Sequence, residues 1–434
     1  MSYSPFDYKD LFPYGVFEYN SKPIKTWADS HRLFALNMRP FKNQSIKIAD
    51  GLVAKMGHIK QKGGFSNYMI FEIDPKVRKV KLEFFQDKML YPIDAFNKLN
   101  KPYLLTNAGY FYLTDDEKKH SVPPPKVRTG NMVISGGSLI NLPVLDRGSI
   151  VVYKNGQVDI LFLRAKGKVE IDGRRFEWIG SKSISSKKEG VVVYNSSNIE
   201  IEVVNDPVMG PSRRSKKVYI KPKQGKSFCI CQKKGKAFVV IDVVQAKTVI
   251  NDKETVLEIS NKIKVKKGSN VHFLSVDSLN LKDVDSAIST GPLLFKTFKE
   301  TEKQVEKEFS VSDMANPVNP HEADKKLARG CLIKLKGGKL VSVLVDGIPQ
   351  AGKIYQGVNL REFVAFIKLC YPSFESALAT DPSSSMKGVY RQGNKVNIFG
   401  NLHYLAHKRD KEGNIKFWPN GQKGRKLNSV LVIY

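Results

Sequence analysis

Apolar and polar residues alternate with a period of two repeatedly along the chain, as in Tyr68 to Ile73, Val80 to Phe84, Ser149 to Tyr153, Val158 to Phe162 and Ala237 to Asp242. A period of two sends successive side chains to opposite faces of an extended backbone, so these runs predict strands. Branched and aromatic side chains fill them, which suits a pleated, half-buried surface. Between neighbouring runs, Lys154-Asn-Gly156 and Lys336-Gly-Gly338 supply residues that enter positive φ cheaply. They predict tight hairpins and largely antiparallel sheets.

A helical period appears in fewer places. Asn359 followed by Glu362 forms a capping box, and Leu360, Phe363, Val364, Ile367 and Tyr371 share one apolar face that Pro372 terminates. A shorter helix is predicted over Pro92 to Leu99, and a charged, mostly exposed one over Thr297 to Ser310. Helices packed on mainly antiparallel sheets predict an α+β fold. Residues 1–45, rich in Tyr, Phe and Pro without periodicity, read as an N-terminal arm on a body spanning 46–434. Within the body, about 165–270 reads as a basic, strand-rich insert. Neither linkers nor internal repeats divide the chain.

Composition narrows the class. The chain has 434 residues, enough for a full core, and 41% are hydrophobic. No window reaches the roughly eighteen uninterrupted apolar residues of a membrane-spanning helix. Residues 1–10 lack the cationic start and apolar run of a secretory leader. The four cysteines are Cys229, Cys231, Cys331 and Cys370. The first two are too close to bridge each other easily and lack the second pair of a zinc site, so reduced, buried thiols are expected. These features predict a cytoplasmic setting or an intracellular particle such as a virion. The net charge of +29, dense at Arg164 to Arg175 and at Arg213 to Lys236, attracts polyanions, nucleic acid among them. No P-loop, dinucleotide fingerprint or zinc-protease motif occurs, and no metal or cofactor is expected.

Asn107-Ala-Gly-Tyr-Phe111 resembles the Asn-Gly/Ala-Gly-Phe-Phe motif of the phosphodiester glycosidase family. Further segments are similar in the family's order: Gly130 to Gly137, Ala287 to Leu294 with its Ser-Thr-Gly-Pro, Arg329-Gly-Cys331, the strand ending Val345-Asp-Gly347, the helix after Asn359, and Leu427 to Leu431. The likeness runs from about residue 70 to the end. It implies a phosphodiester glycosidase-like core and action on a sugar joined through its anomeric carbon to a phosphodiester. The departure lies at Ala379-Thr-Asp-Pro-Ser-Ser-Ser-Met386, where the family reads Asn-Leu-Asp-Gly-Gly-Gly-Ser-Ser-Thr-Met. Glycines there let backbone amides approach an anion, and Pro382 removes one donor together with that freedom.

The candidate catalytic pair is Asp381 and Asp346, since glycoside hydrolysis uses one group to assist departure and another to activate water or attack. Asp346 also reads as a turn residue before Gly347, and Asp381 as an N-cap or Asx turn. Arg329 would neutralise a phosphate with its planar donor fork, with Lys325 or Lys326 adding charge. Asn107 with Gly109 and Thr290 would bind substrate or shape turns, and Ser383 and Ser384 would contact phosphate oxygens. His321 is a loop histidine with the chemistry of a base. Two functions follow: a sugar-phosphodiester-recognising protein that keeps hydrolysis, or an inactive derivative that serves as a basic structural or nucleic-acid-associated protein. The five residues Asn107, Thr290, Arg329, Asp346 and Asp381 are expected to line one concave surface.

Overall fold

The computed structural model describes residues 16–18, 42–61, 64–85, 89–109, 111–113, 127–129, 132–143, 145–180, 190–195, 204–205, 214–215, 219–220, 226–232, 238–243, 248–249, 255–259, 263–309, 325–347, 357–382, 385–400, 408–409, 415–416 and 426–434. Among these, 56% are strand and 12% helix. The expected α+β class is therefore corrected to a sheet-dominated fold. The helical patterns in the sequence are real but short, at Pro92–Lys98, Phe298–Phe309 and Leu360–Cys370. They pad sheet faces and form no layer equal to the sheets.

A seven-stranded sheet runs in the order Gln44–Ala49, Leu52–Gln61, Gly64–Ile73, Leu340–Val345, Arg329–Leu335, Phe374–Ala379, Leu293–Leu294. A six-stranded sheet runs Val16–Glu18, Lys395–Gly400, Lys387–Gln392, Leu104–Asn107, Ser429–Ile433, Val80–Phe84. A five-stranded sheet runs Ser138–Asn141, Val133–Ser135, Val284–Thr290, Arg147–Tyr153, Val158–Leu163. The hairpin at Lys154 to Gly156 joins Arg147–Tyr153 to Val158–Leu163, and that at Lys336 to Gly338 joins Arg329–Leu335 to Leu340–Val345. Between Lys166–Ile171 and Asn270–Phe273 lies a closed seven-stranded barrel. Its pairing of Arg174–Gly180 with Val191–Asn195 is parallel, against the antiparallel rule of the rest.

The three open sheets enclose one apolar core. Phe71 and Leu344 from the first sheet, Tyr390, Phe399 and Leu431 from the second, and Ile150 and Ile288 from the third meet in it. Outer faces are covered separately. The helix Leu360–Cys370 lays Leu360, Phe363, Val364 and Ile367 on Val341, Val343 and Val345, while Pro92–Lys98 covers Leu105 and Val430. Barrel residues Trp178, Val193 and Val271 pack in one cluster with Ile134 and Val151 of the five-stranded sheet. Alternation sends successive strand residues to opposite sides, and the covering elements decide which side is interior. The expected arm falls outside the described residues except for 16–18 and 42–45. Cys331 is buried as expected, but Cys370, the last residue of its helix, is exposed.

Candidate functional site

The chain leaves the strand Phe374–Ala379 through Thr380, Asp381 and Pro382, and that exit is where the sheets are fastened together. The Ala379 carbonyl accepts from the Gly291 amide at 3.1 Å and from the Thr290 hydroxyl at 3.4 Å. The Thr380 amide donates to the Gly330 carbonyl at 2.9 Å. Asn107 Nδ2 donates to the Asp381 carbonyl at 2.7 Å. One three-residue segment thereby holds the ends of strands from all three sheets. Asn107, Thr290 and Asp381 are brought together, and the first two are buried.

Asp346 lies two strands over, beyond Arg329–Leu335. It follows Val345, so it shares the inward side of Leu344, the side on which Gly330 and Thr380 meet the Met386 side chain. It is completely buried, and its Oδ1 accepts from the Asn67 amide at 2.7 Å. Burial pushes its carboxyl up to about 8, only partly offset by the Asn67 hydrogen bonds. At neutral pH this acid holds its proton. Its Oδ2, the Asn107 Oδ1 and the Thr380 hydroxyl are buried without hydrogen-bond partners among the described residues. Native interiors keep few such atoms, and each has a cause such as strain, a catalytic role or an ordered water or ion.

Arg329 goes elsewhere. It shares a face with Cys331 and Ile333, which pack under the helix Leu360–Cys370, whereas Ala328 and Leu332 point into the central core. Its Nε donates to the Val358 carbonyl at 2.8 Å and its Nη2 to the Lys325 carbonyl at 2.9 Å. The arginine and Asp346 thus take opposite faces of one sheet, so the five residues do not share one face, while Asn107, Thr290 and Asp381 meet at the strand exit. Lys326 pairs with Glu362 at 3.2 Å and with Gln61 at 2.7 Å, beside that same helix. Gly109 donates its amide to the Ser429 hydroxyl at 3.2 Å, and a Cβ there would strike the Ile288 side chain. Close packing accounts for that glycine. Ser383, Ser384 and His321 lie outside the described residues.

Among the described residues, the buried ionisable groups that escaped sequence reading include Glu308 and Lys387. Glu308 accepts from the amides of Gly148 at 3.1 Å and Leu293 at 3.0 Å and from Gln304 at 2.7 Å. It thereby clamps the turn Thr290-Gly291-Pro292 from behind. Gly291 sits at φ +138°, and its Cα lies so near Glu308 that a Cβ would come within 2.5 Å of the carboxylate. The available signal was a glutamate on the helical stripe of Thr301 and Val305, which are buried. Lys387, also fully buried, is next along its strand to Gly388, which faces Thr106. It has no such signal, because a strand lysine reads as an exposed one.

No protein-family model and no curated protein matches the chain. Fourteen chains of known structure do. A hypothetical protein of Synechocystis matches with a TM-score of 0.50 at 13% identity over 90% of this chain, which spans 63% of that protein's length. A protein of Burkholderia pseudomallei described as exported matches with a TM-score of 0.50 at 14% identity over 85% of this chain and 74% of that one. The catalytic domain of zebrafish N-acetylglucosamine-1-phosphodiester alpha-N-acetylglucosaminidase, auto-inhibited by its pro-peptide, matches at 14% identity over 91% of this chain and 87% of that one. Its TM-score of 0.36 adds nothing to the fold assignment. No helix among the described residues is long and apolar enough to cross a membrane, and a neighbour described as exported lends no support to an intracellular setting. At these identities the first two likenesses establish a shared fold.

Proposed function

We propose that the chain is a divergent phosphodiester glycosidase-like protein that recognises a sugar-1-phosphodiester at the Ala379 to Pro382 exit and cleaves it with Asp346 as acid and Asp381 as base. The observation that carries this reading is the set of unpartnered buried polar atoms on Asn107, Asp346 and Thr380, beside a carboxyl that keeps its proton at neutral pH. In the proposed step the bond from the anomeric carbon to the phosphate oxygen breaks. Its electron pair leaves with that oxygen, which takes the Asp346 proton, while water adds to the carbon and yields its proton to Asp381. Asn107 and Thr290 act as positioning residues, since they hold the backbone that presents Asp381. Arg329 has no part in this scheme, because its guanidinium serves the opposite face.

The test is release of free sugar from chromogenic N-acetylglucosamine, mannose and glucose 1-phosphodiesters. Turnover is expected, with kcat/KM falling above an apparent pKa near 8, and Asp346→Asn should lower it by about 10²-fold or more. Turnover of none of the sugars, or full activity in Asp346→Asn, overturns the reading. A second reading, recognition without turnover, is favoured by Pro382 standing where the family has glycine. It predicts saturable binding of the same phosphodiesters by calorimetry with no sugar released.

A further inference from the structure

One end of the barrel carries a cluster of cations that the strand-end site does not use. The hairpin turn Asp172-Gly173, which leads into Arg174, is stitched to the loop Lys266 to Asn270. Asp172 Oδ1 accepts from the Asn270 amide at 2.9 Å, and the Asp172 amide donates to the Asn270 carbonyl at 3.1 Å. Within the loop, the Lys266 amide donates to the Ser269 hydroxyl at 3.2 Å and the Gly268 amide to the Val240 carbonyl at 2.9 Å. The Asp172 carboxyl is held below its ordinary range by the Ser269 hydroxyl, the Asn270 amide and, more weakly, Lys266, which places that ammonium beside the turn. Arg174, Lys264, Lys266 and Lys267 are all exposed here, and Asp172 is the one carboxylate within the two loops.

The contrast with the barrel wall is informative. There Arg175 pairs with Glu170 at 3.5 Å, and Lys168 stands opposite Glu177, so charges cancel along the strands and accumulate at the tip. Gly173 and Gly268 sit at φ +78° and +89° with nothing within 4 Å of a Cβ position. The backbone at the tip is therefore bare and a linear polymer can approach it closely.

We infer that this barrel tip, formed by Arg174, Lys264, Lys266 and Lys267, is a contact surface for the phosphate backbone of a nucleic acid. The inference stands apart from the proposed hydrolysis and does not depend on it. Charge complementarity chooses the polyanion. The described tip carries no exposed large apolar side chain, the exposed ones being Val77 and Leu369 elsewhere. A membrane interface would draw on buried apolar area as well as charge, and a protein partner on aromatic or aliphatic anchors. Regularly spaced phosphates need neither, since released counterions drive the association.

The experiment is fluorescence anisotropy of labelled 20-nucleotide single-stranded and duplex oligonucleotides with the full chain at about 50 to 200 mM salt. Binding should weaken steeply with salt. Arg174→Glu, Lys266→Glu and Lys267→Glu together should weaken it at least 10-fold and reduce the salt slope by about 3. The comparison variant reverses Lys296, Lys299 and Lys303, equally exposed cations beside and on the helix Phe298–Phe309, and should lose much less. Equal loss in both variants would mean that net charge acts without a local surface. That result, absence of binding at the lowest salt, or equal competition by polyglutamate or anionic vesicles would each overturn the inference.

Discussion

Asp346 shows how one side chain couples burial to chemistry. Its carboxyl is raised from 3.8 to about 8 by burial, so between those values the folded chain holds a proton that the unfolded chain releases. The sign follows: the native state is least penalised below about pH 4, and its stability falls as pH rises towards 8. Glu308, raised by burial as well, adds to the same trend. Asp346→Asn should therefore raise the melting temperature at pH 7 to 8 and match the parent near pH 4, as read by thermal denaturation across about pH 4 to 9. A pH-independent difference would sink this account. The sequence presented Asp346, Asp381, Asn107 and Thr290 as chemistry-bearing types, and folding brought Asn107 and Thr290 to the segment that carries Asp381. It could not show that Arg329 points away, because which face a strand residue takes depends on which neighbours cover that face.

At the scale of elements, the local signals were accurate where chemistry is local. The capping box at Asn359 is present in full: the Glu362 amide donates to Asn359 Oδ1 at 2.8 Å, and the Asn359 amide donates to Glu362 Oε2 at 2.9 Å. Asn359→Ala should cost about 1 kcal/mol in chemical denaturation. Glu362→Ala loses the reciprocal bond and the pairing with Lys326, and should cost about as much. Strand alternation likewise predicted Val80–Phe84 to the residue. The α+β expectation failed because a well-capped helix is conspicuous in sequence, while the proportion of sheet to helix depends on many short, weakly marked strands. Helix Phe298–Phe309 was expected to be mostly exposed, and its buried stripe ends in Glu308, a charged residue where an apolar one is the rule.

The whole molecule adds continuity that no segment reveals. Trp178, at the centre of the barrel, is fully buried and meets Phe273 edge-on at 5.6 Å, and its cluster continues into the five-stranded sheet through Val151 and Ala287. That sheet packs its other face into the central core. Trp178→Ala should cost about 3 to 5 kcal/mol and lower a single calorimetric transition as a unit. A separate, earlier melting of the barrel would contradict a shared core. The amino-acid order by itself determined the strongly alternating strands, the helices at Pro92–Lys98, Phe298–Phe309 and Leu360–Cys370, two hairpins and the excess of positive charge, since each rests on neighbours within a few residues or on a simple sum. Tertiary structure alone decided that strand ends from three sheets converge on Ala379 to Asp381, that Asp346 keeps its proton, and that Arg329 faces the other way. Those outcomes depend on contacts between residues hundreds of positions apart and on the water that such contacts exclude.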